Sequence, residues 1–141
     1  MCFELLSTLA RVPASCEWDW AGSEREFKRV LEISPNDGTA RKWYGSYFQV
    51  MGRLEESSAE NRRALEAEPL SLIISADLGI TLVYARHYDQ AIEQLRKTID
   101  MDRNFVPAHR YLGLAYEQKA MFAEAIVEFR QALSASGGDP R

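Results

Sequence analysis

Cysteine, proline and long apolar runs are scarce in this sequence. Its 141 residues include five prolines and two cysteines, Cys2 and Cys16. Two cysteines are too few for a disulfide framework and lack the spacing of a metal site, which favours a reducing, cytoplasmic location. Asp, Arg or Gly interrupts the apolar stretches well before the roughly 18 residues that a membrane span needs. We therefore expect no association with a membrane.

A surplus of one charge is also missing. The chain has 17 basic and 21 acidic side chains, scattered along its length, and a net charge of −4. A nucleic-acid-binding domain usually gathers Lys and Arg into a stripe that neutralises phosphates, so we expect no nucleic-acid partner. A hydrophobic content of 46% in 141 residues is enough for one domain with a buried core.

Catalytic and cofactor-binding motifs are absent from the sequence as well. It contains no GxSxG, HExxH, P-loop or GxGxxG pattern, so no cofactor is implied and we expect the chain not to be an enzyme. His87 and His109 have no Cys or carboxylate at ligand spacing, and we predict that they are surface or turn residues. Trp18 has no evident packing role and is a candidate for contact with a ligand.

What the sequence does contain is a repeat of 34 residues. Gly45, Gly79 and Gly113 are each separated by this interval. Large apolar and small residues keep the same period in four further columns: Tyr44/Leu78/Leu112, Phe48/Leu82/Tyr116, Leu54/Tyr88/Phe122 and Ser57/Ala91/Ala125. Coincident columns at one period are typical of a repeat protein, in which one supersecondary unit stacks on the next.

Each unit has the apolar spacing of two helices. In the third unit Leu78, Leu82, Leu95 and Ile99 fall on three- and four-residue steps, with an interruption at residues 85–87. This pattern predicts an αα-hairpin. Ser71 is a suitable N-cap for the helix that follows it, and Ser23–Glu26 matches a capping box.

The periodic glycines require a structural reason. Each lies inside a predicted helix, where glycine costs about 1 kcal/mol relative to alanine. We expect each missing side chain to let the second helix of the pair cross closely. The small residues Ser57, Ala91 and Ala125 are predicted to form the matching half of this contact.

The repeat resembles the tetratricopeptide repeat. Its first-helix motif appears as WYGSYF (residues 43–48), DLGITL (77–82) and YLGLAY (111–116), and Pro35 and Pro69 close two of the units. Asn61 stands at a position usually aromatic, and Arg103 at a position usually proline. The resemblance implies an all-α fold, a right-handed α-solenoid of stacked antiparallel helix pairs with about three and a half repeats.

The resemblance also implies a domain organisation. Residues 1–17 are predicted to be an irregular or degenerate N-terminal helix or cap, and residues 136–141 a flexible tail. The repeat array is expected to cover residues 18–135. It divides into the second helix of a first repeat (18–37) and repeats 2 (38–71), 3 (72–105) and 4 (106–135).

A binding surface is implied by the same resemblance. In tetratricopeptide arrays, exposed positions of the first helices line a concave face that holds a peptide or protein segment. These positions are here Lys42, Gln49, Ile73, Ala76, Ile80, Val83, Tyr84, Arg110, Leu114, Glu117 and Gln118. The segment LIISADLGITLVYA is apolar nearly all round, which either tight packing or an apolar strip for a partner explains. We expect Ile73, Ile80 and Tyr84 to be apolar anchors.

The last predicted helix keeps Ile126, Phe129 and Leu133 on one side, and only GGDPR follows it. This predicts either a homodimer through the uncapped C-terminal helix or a fragment of a longer protein. The predicted function is a non-catalytic scaffold for a protein or peptide partner. The alternative is a sensory or oligomerising region of a larger bacterial transcriptional regulator or protein kinase, since residues 17–36 loosely resemble repeat arrays of such regulators.

Overall fold

The computed structural model describes residues 20–137, which form seven helices. They are α1 (Trp20–Ile33), α2 (Gly38–Val50), α3 (Leu54–Ala67), α4 (Leu72–Tyr84), α5 (Tyr88–Met101), α6 (Val106–Gln118) and α7 (Phe122–Ala135). No strand occurs among these residues, and the predicted all-α class is confirmed. The predicted N-terminal cap (1–17), Trp18 and the end of the predicted tail lie outside the described residues.

The described residues form two compact units that divide between Pro69 and Leu70. In the first unit α2 packs against both α1 and α3. In the second unit α4 pairs with α5 and α6 pairs with α7, while α6 also contacts α4 and α5. None of the helices in this part of the chain combines the length and the apolar character needed to cross a bilayer.

The starts of the helices agree only in part with the sequence. Ser71 caps α4, since its hydroxyl accepts a hydrogen bond from the Ile74 amide at 3.4 Å, as predicted. The capping box predicted at Ser23 is wrong, because α1 already begins at Trp20 and Ser23 is buried inside the helix.

The periodic glycines lie where paired helices touch, so the predicted close approach is confirmed. A Cβ atom added to any of them would lie within 2.4–2.6 Å of a side chain on the second helix. The pairs are Gly45 with Asn61, Gly79 with Leu95 and Gly113 with Phe129. Such distances are too short for real Cβ contacts, so an added Cβ would require the facing side chain to move.

The predicted contact of the small residues with these glycines is confirmed for Ser57, and a second set of partners was missed. Ser57, Ala91 and Ala125 are buried, but the side chains that face the glycines come one helical turn later. The reason is directional, since the missing Cβ points toward that later turn. Ser57 contacts the main chain instead, and its hydroxyl donates a 2.7 Å hydrogen bond to the Gly45 carbonyl.

The core of the first unit is aromatic. Phe27 of α1 stacks on Tyr44 of α2 at a centroid distance of 5.2 Å, and Tyr44 lies 4.2 Å from Phe48. Burial raises the pKa of the Tyr44 phenol, and the carboxylate of Glu24 adds to the shift. The phenol therefore stays neutral, as a group between two packed helices requires.

The second unit joins α6 and α7 through a buried histidine. His109 is only 6% exposed, its Nδ1 lies 2.7 Å from Oε2 of Glu128, and its Nε2 lies 2.7 Å from the Arg103 carbonyl oxygen. The prediction that His109 is a surface or turn residue is wrong, because it lies within α6 on the side that packs against α7. His87 lies exposed in a turn, as predicted.

A second column of special backbone positions follows the 34-residue period. Gly52, Arg86 and Ala120 all have positive φ angles, of 74°, 63° and 58°. Each ends a first helix, and the next amide donates to a carbonyl five residues earlier, as in the Schellman motif. The sequence did not reveal this column, because glycine occupies one position of the three.

The left-handed positions predict opposite effects of glycine and alanine. Ala120→Gly should raise the free energy of unfolding by about 0.5–1 kcal/mol, because alanine is strained at positive φ. Gly52→Ala should lower it by about 1 kcal/mol, since nothing lies within 4 Å of the added Cβ and only the backbone is strained. Urea unfolding measures both. As a control, Ala59→Gly on the exposed face of α3 should destabilise the protein. A stabilising effect of Ala59→Gly, or no stabilisation by Ala120→Gly, would contradict this account.

The glycine contacts predict unequal effects of alanine. Gly79→Ala should destabilise by about 1–3 kcal/mol, because Leu95 is fully buried and cannot move aside. Gly113→Ala should cost less than about 1 kcal/mol, since the half-buried ring of Phe129 can turn toward solvent. Chemical unfolding of both variants tests this contrast. Equal costs would show that the contacts do not decide the outcome, because the gain in helix propensity is shared.

The buried histidine predicts a loss of stability when its ring is removed. His109→Ala should cost about 1–3 kcal/mol, because Glu128 and the Arg103 carbonyl each lose a partner. Glu128→Gln should cost less, because an amide can still hydrogen-bond the imidazole. Thermal and urea unfolding measure both, with the exposed His87→Ala as a control expected within about 0.5 kcal/mol. An effect at His87 as large as that at His109 would contradict the assignment.

Candidate protein-binding surface

Two large apolar side chains of α4 are exposed on the same side of the helix. Ile73 is 53% exposed and Tyr84 is 54% exposed. They are eleven residues apart, which at 100° per residue returns to nearly the same direction and corresponds to about 16 Å along the axis. Ser71, which caps α4, fixes where the helix begins and so where this side starts.

The other apolar positions predicted on α4 are not accessible. Ala76, Ile80 and Val83 are 1%, 5% and 7% exposed. The physical reason is that α4 contacts both α5 and α6, which leaves little of its surface open. The apolar segment had two explanations, tight packing or an apolar strip for a partner. For these three residues the structure supports packing, so Ile80 is not an available anchor.

α6 contributes the polar part of the same unit. Glu117 and Gln118 are exposed at its C-terminal end, and Leu114 is half-buried one turn earlier. α6 contacts α4 directly within the second unit. We call the exposed residues Ile73, Tyr84, Glu117 and Gln118 the α4–α6 face.

Tyr111 lies close to this face and was missed in the sequence. Burial raises the pKa of its phenol, the carboxylate of Asp77 adds to the shift, and Tyr84 acts in the same direction. The phenol therefore remains a neutral hydroxyl beside an acid. The sequence contained a signal for this position, because Trp43, Asp77 and Tyr111 occupy the same column of the 34-residue repeat.

Arg110 lies two turns before Glu117 on the same side of α6. It is exposed and lines a groove between α6 and α7, together with Val106 and Leu133. The positive charge of Arg110 acts on the adjacent Tyr111 and opposes the rise in the pKa of its phenol. The structure therefore places this predicted binding residue beside α7, and neither Ile73 nor Tyr84 lines the same groove.

Lys42 and Gln49 belong to the first unit and are both half-buried on α2. The ammonium group of Lys42 lies 4.3 Å from the centroid of the Trp43 ring, within the range of a cation–π contact. The ring thus holds the lysine side chain against the helix. A role of Lys42 and Gln49 in ligand binding stays a prediction.

The predicted self-association residues on α7 differ in exposure. Ile126 and Leu133 are 50% and 46% exposed, as are the neighbouring Val127 and Phe122 at 53% and 59%. Phe129 is half-buried and thus less exposed than these residues, because its ring fills the space next to Gly113 on α6. Phe129 therefore has a packing role within its own helix pair, which the sequence did not indicate.

Charged and metal-ligating side chains occur throughout the described residues. Within residues 20–137 no three His, Cys, Asp or Glu side chains come together as a metal site. Ionised groups meet in small networks: Glu60 lies 2.8 Å from Arg41 and 2.9 Å from Arg63, and Arg53 lies 2.6 Å from Glu56 and 3.4 Å from Glu24. Arg41 and Glu60 link two helices, whereas Arg53 and Glu56 stabilise the start of one helix.

A family comparison identifies the fold. Residues 76–140 match the model described as a tetratricopeptide repeat. Residues 76–140 are thus tetratricopeptide repeat sequence. The predicted family is thereby confirmed, and tetratricopeptide arrays are scaffolds for protein–protein interaction.

Curated relatives of this tetratricopeptide chain are much longer than it is. It is 30% identical to FK506-binding protein 5 of Rhizopus delemar over 135 residues, which cover 86% of this chain and 34% of that protein. It is 23% identical over 113 residues to the probable UDP-N-acetylglucosamine–peptide N-acetylglucosaminyltransferase SPINDLY of Hordeum vulgare, covering 75% and 12%. The chain thus spans about a third or less of these relatives.

Solved structures of MamA share the tetratricopeptide fold of this chain. One has a TM-score of 0.82 at 23% identity, covering 94% of this chain and 77% of that chain. MamA from Desulfovibrio magneticus RS-1 has a TM-score of 0.81 at 19% identity, covering 93% and 73%. At these identities the likeness shows the fold alone.

Proposed function

We propose that this chain is a non-catalytic scaffold that binds a segment of another protein on the α4–α6 face. One observation carries the proposal: Ile73 and Tyr84 stay half exposed on α4, although Ile74, Leu78, Ile80, Leu82 and Val83 of the same helix are buried. The core does not require these two side chains. Exposed apolar groups with a regular spacing are typical of a recognition surface.

The spacing of the two anchors defines the kind of segment that fits. About 16 Å separates Ile73 from Tyr84 along the helix, at a rise of 1.5 Å per residue. An extended segment rises about 3.3 Å per residue and turns every second side chain to the same face. Apolar side chains four or six residues apart, about 13 or 20 Å, would therefore reach both anchors. Glu117 and Gln118 favour a basic or hydrogen-bonding group beside them.

Selection of peptides from a displayed library tests the proposal, because the library itself supplies the binding segments. Peptides selected on the wild-type chain should bind the double variant Ile73→Ala/Tyr84→Ala at least about tenfold more weakly, because both anchors are lost. Met101→Ala is a matched control, since Met101 is an exposed apolar residue on α5. Binding is measured by fluorescence anisotropy, and circular dichroism checks that both variants keep their helices.

Two outcomes would overturn this function. Selected peptides that bind the double variant as tightly as wild type would place recognition elsewhere. A loss of helicity in the double variant would show that Ile73 and Tyr84 serve the core. In the expected result, both variants melt as wild type does, and binding distinguishes them.

The second candidate function is that of an oligomerising region in a larger bacterial regulator or kinase. The exposed side chains of Ile126 and Leu133 on α7 are the observation that favours it. A homodimer through this helix and the sensory role both stay predictions. Sedimentation of the chain at rising concentration would reveal the dimer as an increase in mass.

A further inference from the structure

An apolar groove lies between α6 and α7 in the second unit. Its volume is about 350 Å³, which is large enough for several side chains. The residues that line it are Val106, Arg110, Phe129, Ala132, Leu133 and Ser136. It adjoins the exposed side chains of α7, so groove and helix surface form one apolar area.

The same groove one repeat earlier is filled by a helix. The residues 34 positions before the lining residues are Leu72, Ala76, Leu95, Thr98, Ile99 and Asp102. Among them Ala76, Leu95 and Thr98 are at most 1% exposed. α6 contacts both α4 and α5, so α6 is the helix that packs onto this earlier pair.

The outer stripe of α7 shows the same contrast. Ile126 is exposed, whereas Ile92, at the corresponding position of α5, is buried. Leu133 is exposed, whereas its counterpart Ile99 is half-buried. Among the described helices α7 contacts α6 alone, while α5 contacts α4 and α6. The surface that carries the interface between repeats therefore continues onto α7, where none of the described helices covers it.

We propose that the α6–α7 groove binds an acidic amphipathic helix of a partner protein, in the way that α4 and α5 bind α6. The apolar face of the ligand is specified by α6, whose buried stripe is Ala108, Leu112 and Ala115. Small residues on both sides of a leucine allow a helix to lie close to the pair beneath it.

The acidic character of the partner follows from two arginines. Arg110 lines the groove at the position where the earlier pair has Ala76. Arg130 corresponds to Arg96, whose guanidinium Nε donates to the Tyr116 hydroxyl of α6 at 3.1 Å. A partner helix with a carboxylate at the position of Tyr116 would meet Arg130 by the same geometry.

The acidic residues of α7 do not neutralise these arginines. At 100° per residue, Glu124 and Glu128 lie on the side of α7 opposite the stripe of Ile126 and Leu133. Glu128 is also engaged by His109. A second copy of this chain, docked α7 to α7 about a twofold axis, would bring like charges together, which disfavours that occupant.

A peptide that copies α6 is the probe for this groove. It comprises residues 104–119 with Gly113→Ala, which favours the helix where no second helix needs the space. Two further versions carry Tyr116→Glu or Tyr116→Phe. Binding of each labelled peptide to the whole chain is measured by fluorescence anisotropy at low and at high salt.

We expect all three peptides to bind, the Tyr116→Glu version most tightly and the Tyr116→Phe version least. Ile126→Glu/Leu133→Glu in the protein should weaken binding more than about tenfold, because a carboxylate replaces each apolar contact. Arg130→Met should remove the preference for the glutamate peptide, and so should high salt. Ile73→Ala/Tyr84→Ala should leave peptide binding unchanged, which separates this groove from the α4–α6 face.

Four results would overturn the proposal. The peptides could fail to bind, or bind the Ile126→Glu/Leu133→Glu variant as well as they bind wild type. The glutamate peptide could keep its advantage on the Arg130→Met variant, which would remove the argument from charge. Finally, sedimentation could show a wild-type dimer that Ile126→Glu dissociates, and the occupant would then be a second copy.

Discussion

Close contact between the two helices of each pair is the constraint on which the rest of this structure depends. The contact occurs where a periodic glycine of the first helix meets a large side chain of the second, as Gly79 meets Leu95. A Cβ atom at that place would push the helices apart and change their crossing. Once the crossing angle is set, each remaining position of the first helix faces the second helix, the neighbouring pair or solvent. That division decides which side chains a ligand can reach.

The division is clearest on α4. Its sequence is apolar in nearly every direction, yet Ile80 and Val83 are buried while Ile73 and Tyr84 are exposed. All four are ordinary core residues by composition. The contacts of α4 with α5 and α6 separate them, and what remains is a sparse pair of apolar side chains next to polar ends of α6. Such a surface suits a scaffold, because recognition needs a few anchors and no reacting group.

Repetition also provides an internal reference for the open groove beside α7. Each position of the last pair has a counterpart 34 residues earlier whose surroundings are known. Ile126 and Ile92 are the same residue type at corresponding positions, and only one of them is covered. The difference in exposure thus reflects the neighbour and not the residue. Arg110 places a positive charge in the lining of this otherwise apolar groove.

The 34-residue period by itself determined that the described chain is all helical, that helices pair, and that glycines mark the crossings. These properties depend on neighbours within one repeat, which periodicity records. Only the tertiary structure decided that His109 is buried against Glu128, that Phe129 packs on Gly113, and that Arg86 and Ala120 adopt left-handed backbone angles. The reason is that one residue type suits several surroundings. A leucine or histidine does not encode which second helix will cover it, and a turn fixed by its hydrogen bonds can impose a positive φ on residues that do not favour it.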